Sequence, residues 1–196
     1  TDLLDIALTE ALPNGFMSTR TGKRSFNWRS DKAATLIYVE ALDGGDPAIK
    51  TEYRDEVFEL EAPFNGKGKS LIKTINRFAG IDWGNSGLAI AYDRWWNTRN
   101  TKAYAFNPSN NGSAPKIIND RNYQDAYSDP GTFMKERNSY NRSVLKLYSG
   151  SAFLRGAGFT SEGQFPFIDK VNTETFNKKR VYQSSYTNKV ESIQDY

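Results

Sequence analysis

Short apolar runs separated by turn-forming residues extend along most of the chain, and one stretch shows the pattern most clearly. Residues 77–94 read RFAGIDWGNSGLAIAYDR, in which two apolar segments flank the turn-forming residues GNSG at 84–87. Glycine and asparagine tolerate the positive φ of tight strand reversals, so this stretch predicts a β-hairpin. The second segment, residues 88–92, is apolar at every position, which predicts a strand that is buried on both faces.

Similar runs, bounded by Gly, Pro, Asn and Asp, predict strands throughout the chain. The predicted strands are residues 16–19, 25–29, 35–42, 56–60, 70–75, 78–83, 88–92, 102–106, 116–119, 144–147, 152–156, 166–171 and 180–183. Residues 1–15 mix apolar residues with acids and end in a Pro-Asn-Gly turn, so we expect an irregular leading segment there. The fold class is therefore predicted to be all-β.

Alignment of the turns reveals an internal repeat, whose anchors are Phe58, Tyr104 and Phe167. The anchors are 46 and 63 residues apart, and an insertion at 120–142 accounts for the longer step. A period near 45 residues with about four strands per unit is typical of a β-propeller blade. A β-sandwich also uses short strands but does not repeat in this way, so the propeller is favoured over the sandwich.

The predicted architecture is a partial β-propeller of about three blades, each of four antiparallel strands. The leading segment with the first strand is 1–24, and the blades are 25–77, 78–143 with the insertion 120–142, and 144–196 with the exit strand. Propellers close with about four to eight blades, so the chain is expected to be one part of a larger propeller. Unpartnered blade faces expose apolar surface, which predicts self-association.

The composition excludes several kinds of chemistry. The 196 residues include no cysteine and no histidine, so the chain has no thiol nucleophile, His-dependent triad or His-ligated metal. A net charge of +3, from 26 basic and 23 acidic residues, is too balanced to predict a nucleic-acid partner. No apolar run approaches the roughly 20 residues that span a bilayer, so no membrane partner is expected. No cofactor and no metal site are predicted.

Several unusual strings occur in an order that resembles one known family. The strings are NWRSDKAATL at 27–36, VEALDGGDP at 39–47, RFAGIDWG at 77–84, YSDPG at 127–131 and FLRGAG at 153–158. Together they resemble the N-terminal propeller of prolyl oligopeptidase-family serine peptidases. The glutamyl endopeptidase-like or dipeptidyl aminopeptidase-like branch is the most similar. The resemblance covers most of the chain.

The resemblance implies a propeller that caps a C-terminal α/β-hydrolase domain with a Ser-Asp-His triad and filters peptide substrates. This chain departs from that pattern, because it has neither a G-x-S-x-G elbow nor a histidine. We therefore expect no catalytic residue here, a hydrolase domain of the same polypeptide as partner, and a peptide as substrate. The alternative is a free-standing β-repeat binding or scaffold module. A periplasmic or other extracytoplasmic compartment is favoured over the cytoplasm.

Arg94, Trp95, Trp96 and Arg99 are the predicted substrate-binding residues. Two adjacent tryptophans flanked by arginines, between two predicted strands, could line a substrate cavity. Arginine could then pair with a substrate carboxylate. The alternative interpretation is a strand end, where one ring packs between blades and an arginine covers it.

Two other stretches have more than one interpretation. The acidic turn DGGD at 43–46 could hold a cation, but two carboxylates at this spacing are also ordinary in turns, and the turn is favoured. The insertion 120–142 is long and polar. Loops of this kind are often functional, so it could reach the hydrolase domain or gate access, or it could be a solvated surface loop.

Overall fold

Antiparallel β-sheets dominate the structure, a computed structural model that describes residues 10, 12–110, 112–189 and 191–194. Much of the leading segment that was expected to be irregular, residues 1–9 and Ala11, lies outside the described residues. Across the described part of the chain, no helix is long and apolar enough to cross a membrane. The predicted strand at 16–19 is wrong, because these residues turn and form no strand ladder.

Two four-stranded sheets come first along the chain. The first sheet contains β1 (Arg24–Trp28), β2 (Thr35–Ala41), β3 (Asp55–Glu61) and β4 (Lys69–Thr74). The second sheet contains β5 (Arg77–Asn85), β6 (Leu88–Trp95), β7 (Asn100–Phe106) and β8 (Lys116–Asn122). In both sheets each strand pairs antiparallel with the next one in sequence. The predicted hairpin at 77–94 is therefore confirmed as β5 and β6.

A third sheet follows, and its first strand is interrupted. The remaining strands are β9 (Thr132–Phe133), β10 (Lys135–Arg137), β11 (Ser143–Leu145), β12 (Leu147–Tyr148), β13 (Ser151–Gly156), β14 (Phe159–Thr160), β15 (Gly163–Gln164), β16 (Phe167–Asn172) and β17 (Lys178–Gln183). The order of the third sheet is β12-β13-β16-β17, and β9 also pairs with β13. Since β16 occupies one side of β13, β9 and β12 share the other side.

This arrangement corrects the interpretation of 120–142 as one polar loop. Strand β8 continues to Asn122, and β9 and β10 lie inside the predicted loop. The inserted unit is the β10–β11 hairpin, which interrupts the first strand of the third sheet. Arg142 anchors this hairpin to the first sheet through hydrogen bonds of 2.6–3.1 Å to the main-chain carbonyls of Arg29, Lys32 and Ala33. Strand β10 is polar, so the sequence pattern does not reveal it, whereas β11 overlaps the predicted strand at 144–147 and buries Val144 and Leu145.

The sheets stack face to face, with the second sheet in the middle. One of its faces, which includes Ala89, packs against Val39 and other residues of the first sheet. Its other face, which includes Ile90, packs against Leu154 and its neighbours in the third sheet. Ala89 and Ile90 are both fully buried. The prediction that this strand is buried on both faces is confirmed.

The repeat anchors occupy equivalent places in the sheets. Phe58, Tyr104 and Phe167 lie on β3, β7 and β16, each of which is the third strand of its sheet. The fold is therefore all-β and built from successive four-stranded antiparallel units, as expected, and it is compatible with a partial β-propeller. The boundaries predicted for the blades, and the single-domain interpretation, stay predictions.

Replacement of Ile90 by alanine tests the stacking of the second sheet on the third. The substitution leaves a cavity between two sheets, so the free energy of unfolding should fall by about 3 kcal/mol in urea denaturation. Ile117→Ala is the control, because this side chain is 44% exposed and its loss should cost less than about 0.5 kcal/mol. Equal losses for the two variants would contradict the stacking.

Candidate functional site

The turn between β6 and β7 holds two of the four predicted site residues. Arg99 has a positive φ of 56° in this turn. Its guanidinium carbon lies 3.8 Å from the centre of the Trp96 ring, and it donates a hydrogen bond to the Trp96 carbonyl. Phe16 stacks on the same ring at 5.4 Å. Trp96 and Arg99 therefore form one stacked unit at the protein surface.

Strand alternation separates the other two predicted residues. Side chains of adjacent residues point to opposite faces of a strand, so Arg94 and Trp95 cannot share a face. Trp95 lies on the face toward the first sheet, where the Arg54 guanidinium covers its ring at 3.9 Å. This contact matches the alternative interpretation of a strand end whose ring is covered by arginine. A role for the four residues in substrate binding stays a prediction.

Arg94 points instead into a cleft between the second and third sheets. The cleft has a volume of about 470 Å³. Its apolar and aromatic walls come from both sheets and include Tyr92, Phe133, Leu154, Val171 and Phe176. Several of these side chains continue the core between the sheets, so the cleft is the open end of that core. This is the candidate functional site.

The loop that follows β8 closes one side of the cleft. Gly131 has a φ of +86°, and a Cβ there would lie 2.2 Å from the carbonyl oxygen of Arg155. Only glycine fits this close approach, so the loop is held tightly against β13. Asp129 accepts a hydrogen bond from the Gly131 main-chain N–H at 3.0 Å and lines the cleft. The Asp-Pro-Gly residues of the YSDPG string at 127–131 form this turn.

The charged side chains of the cleft are mostly cationic. Arg121 forms an ion pair with Asp129 at 3.1 Å. The Arg94 guanidinium lies 4.5 Å from the centre of the Tyr123 ring, and no acidic side chain among the described residues pairs with it. Lys178 also has no ion-pair partner within the described residues, and partial burial lowers the pKa of its amine although the charge of Asp169 opposes this. The cleft thus carries two cations without acidic partners.

Two contacts fix Tyr92 in the wall of the cleft. Its hydroxyl donates a hydrogen bond of 3.0 Å to Asp82, which also forms an ion pair with Lys135 at 2.6 Å. Burial raises the pKa of Tyr92, and the negative charge of Asp82 raises it further. Tyr92 is therefore a neutral phenol over the physiological pH range, and it adds no charge to the cleft.

A buried network of arginine and aspartate joins the first two sheets near the β6–β7 turn. Asp55 accepts hydrogen bonds from Arg24 at 2.5 Å and from Arg77 at 3.1 Å. Asp43 accepts from Arg54 at 2.7 Å and from Arg77 at 2.8 Å. Both aspartates are at most 2% exposed. Since Asp55 is on β3 and Arg77 is on β5, this network ties one sheet to the next.

The network also explains the acidic turn at 43–46. The main-chain N–H of Gly45 donates to Asp43 at 3.0 Å, and the carbonyl of Gly45 accepts from Thr19 at 3.0 Å. A Cβ on Gly45 would lie 1.9 Å from the Thr19 carbonyl oxygen, so this position requires glycine. The oxygens of Asp43 are used by Arg54 and Arg77. This geometry agrees with a structural turn.

Sequence reasoning found some of these residues and missed others. Arg94 is one of the predicted site residues, and Arg121, Tyr123 and Asp129 lie in the polar stretch for which a functional loop and a solvated surface loop were both open interpretations. Lys178 was missed, because nothing near it in sequence marks it. The pairing register of β16 and β17 is the signal that could have identified it. Lys178 pairs with Val171, and cross-strand partners share a face of the sheet.

Two known proteins are similar to almost all of this chain. A probable glutamyl endopeptidase, chloroplastic, from Oryza sativa subsp. japonica is 36% identical over 199 residues, which cover 98% of this chain and 21% of the relative. A protein of the same name from Arabidopsis thaliana is 34% identical over 199 residues, which cover 97% of this chain and 21% of the relative. These matches support a peptidase-related family.

The chain spans about a fifth of the length of these relatives. No protein-family model and no solved structure matches it. The similarity therefore concerns one part of each relative, and it runs through the residues of both the cleft and the arginine–aspartate network.

Replacement of Asp55 by asparagine tests the buried network. The substitution removes the carboxylate charge that pairs with Arg24 and Arg77 in a buried site. The free energy of unfolding should therefore fall by about 3–5 kcal/mol. Asp120→Asn is a matched control, because Asp120 pairs with Lys102 and is 51% exposed. A surface pair of this kind is worth at most about 1 kcal/mol. Equal losses in urea denaturation would contradict a special role for the network.

Proposed function

We propose that this chain is a non-catalytic part of the propeller of a prolyl oligopeptidase-like serine peptidase. In this proposal it positions peptide substrates, and gates their access, for a hydrolase domain outside the sequence. The observation that carries the proposal is the similarity to two proteins named glutamyl endopeptidase, which runs through 97–98% of the chain but only 21% of each relative. A segment of this kind contributes to a larger enzyme.

The architecture supports the propeller part of the proposal. Within the described residues, two sheets of four antiparallel strands and a third of five, in which β9 and β12 share one edge, follow one another and stack face to face. A propeller blade is a four-stranded antiparallel meander that packs on its neighbours in this way. Propellers close with about four to eight blades. In the proposed enzyme, other parts of the polypeptide supply the remaining blades.

The composition supports the non-catalytic part. Without histidine or cysteine, the chain offers no general base of the Ser-His-Asp kind and no thiol nucleophile. Its potential contribution is a wall that presents side chains to a substrate. The cleft that contains Arg94 has the size typical of small-ligand pockets, about 300–1,000 Å³, and combines apolar walls with a few charged groups.

The predicted partners and compartment stay predictions. Both relatives are named chloroplastic, and for this chain we propose a compartment outside the cytoplasm. The hydrolase domain is proposed as a partner within the same polypeptide. Self-association stays a prediction, because the aromatic cluster on the outer face of the first sheet is largely buried, with Tyr38 only 3% exposed. There the rings of Phe26, Tyr38 and Phe58 stack in a row, with centres 5.7 and 5.1 Å apart.

Activity assays on two polypeptides test the proposed function. The purified 196-residue chain should not hydrolyse peptides, whereas the product of the complete reading frame should cleave glutamate-containing peptides. A fluorophosphonate probe, which marks activated serines, should label the longer protein, and peptide mass mapping should place the label outside residues 1–196.

Two outcomes would contradict this proposal. Turnover by the highly purified chain would place the catalytic group within it. A reading frame that ends near residue 196, with no peptidase activity, would favour the free-standing binding module instead.

A further inference from the structure

We propose that a small monovalent anion, such as chloride, binds within the arginine–aspartate network that joins the first two sheets. Its ligands are buried N–H groups of Arg24 and Arg77. This network lies between the first and second sheets, whereas the cleft lies between the second and third sheets. Binding there requires no peptide and no peptidase activity, so it goes beyond the proposed function.

Two buried nitrogen atoms of the network lack hydrogen-bond partners. Nη1 of Arg24 and Nη2 of Arg77 are both shielded from solvent, and neither meets an acceptor among the described residues. The two residues are only 8% and 5% exposed. A buried charged donor without an acceptor costs free energy, so such groups are rare in folded proteins. The two nitrogens therefore indicate a site for an acceptor that the described part of the chain does not supply.

Other hydrogen bonds hold both guanidinium groups in place. Nε of Arg77 donates to the Met17 carbonyl at 2.9 Å, and its Nη1 donates to Oδ1 of Asp55 at 3.1 Å. Arg24 donates from Nη2 to the other oxygen of the same carboxylate, Oδ2, at 2.5 Å. The two arginines thus flank Asp55. Because a guanidinium is planar and rigid, these bonds also set the direction of its remaining N–H groups.

The network contains one more positive charge than negative charges. Its members are three arginines and two aspartates, namely Arg24, Arg54, Arg77, Asp43 and Asp55. Among the described residues, no further acidic side chain pairs with the three arginines. Their side chains are at most 14% exposed, so water compensates the excess charge only weakly. One bound monovalent anion would neutralise the network, which a water molecule could not do.

The surroundings of Arg24 agree with this excess of positive charge. Burial lowers the pKa of its guanidinium, and although the charge of Asp55 opposes this, the charge of Arg77 lowers the pKa further. The guanidinium nevertheless stays protonated at neutral pH, so it keeps its N–H donors. A bound anion would favour the charged form of both arginines.

Burial also limits what the ligand can be. Asp55 is fully buried, and both arginines that flank it are nearly so. A peptide carboxylate or a phosphate ester would bring its covalent neighbours into this packed junction, whereas a single ion has none. The excess of one charge favours a monovalent ion over sulfate. A halide meets both conditions, because it is small and carries one negative charge.

Bromide tests the position of the site, because it replaces chloride and scatters X-rays anomalously. Crystals of the 196-residue chain grown with sodium bromide should show an anomalous difference peak in contact with Nη1 of Arg24, Nη2 of Arg77 or both. Density there without an anomalous signal would identify a water molecule and overturn the proposal. The absence of any density there would overturn it as well.

Urea denaturation tests whether the anion binds in solution. Sodium gluconate replaces sodium chloride at constant ionic strength. Each tenfold rise in chloride above the dissociation constant should lower the equilibrium constant of unfolding about tenfold, as expected for one ion that binds only the folded chain. An anomalous peak without this chloride dependence would mean an adventitious ion only, and the proposal would then be wrong.

Two variants separate this site from general effects of salt. Arg24→Met removes one of the two donors together with the excess positive charge, so the chloride dependence should be lost. Arg180→Met is the matched control, because Arg180 pairs with Asp169 outside the network and its side chain is 41% exposed. The control should keep the chloride dependence of the unmodified chain. Equal chloride dependence in all three proteins would overturn the site.

Circular dichroism checks that both variants fold. If Arg24→Met does not fold, the bromide map and the chloride dependence of the unmodified chain decide the question by themselves. Both measurements use only the 196-residue chain, so their outcome does not depend on whether the longer protein is a peptidase.

Discussion

The arrangement of the whole structure depends on one constraint, which is that β6 has apolar side chains on both faces. Ala89 and Ile90 are fully buried on opposite sides of the same strand. A sheet with two apolar faces is stable in water only if another layer covers each face. The first and third sheets provide these layers. The order of the sheets in space therefore follows from the composition of a single strand.

Apolar stacking alone does not fix how two sheets are oriented, because the hydrophobic effect is not directional. The arginine–aspartate network supplies direction at the junction of the first and second sheets. Asp55 on β3 accepts hydrogen bonds from the Arg77 side chain and from the Phe78 main-chain N–H, at 3.1 and 2.7 Å. These bonds hold only at one relative position of the sheets. Buried ion pairs add little net stability, and we infer that this network serves mainly to fix geometry.

The sequence predicts the regular parts of this structure well. The hairpin at 77–94 and the repeat anchored at Phe58, Tyr104 and Phe167 are visible because alternation, turns and aromatic residues are local features. The strand at 144–147 that overlaps β11 is visible, but its partner β10 is not, since β10 is polar and the hairpin is positioned by contacts of Arg142 with a loop more than 100 residues away. Such contacts leave no local signature in the sequence.

The candidate site shows the same division between local and non-local information. Arg94 and Trp95 are adjacent in sequence, and adjacency suggested one shared patch, but strand alternation sends them to opposite faces. Lys178 lies 84 residues beyond Arg94 and is brought to the cleft by the stacking of two sheets. Along β6 the residues change from apolar to charged at Asp93 and Arg94. The core between the sheets ends at that change, so the strand that enforces the stacking also places a cation at the mouth of the cleft.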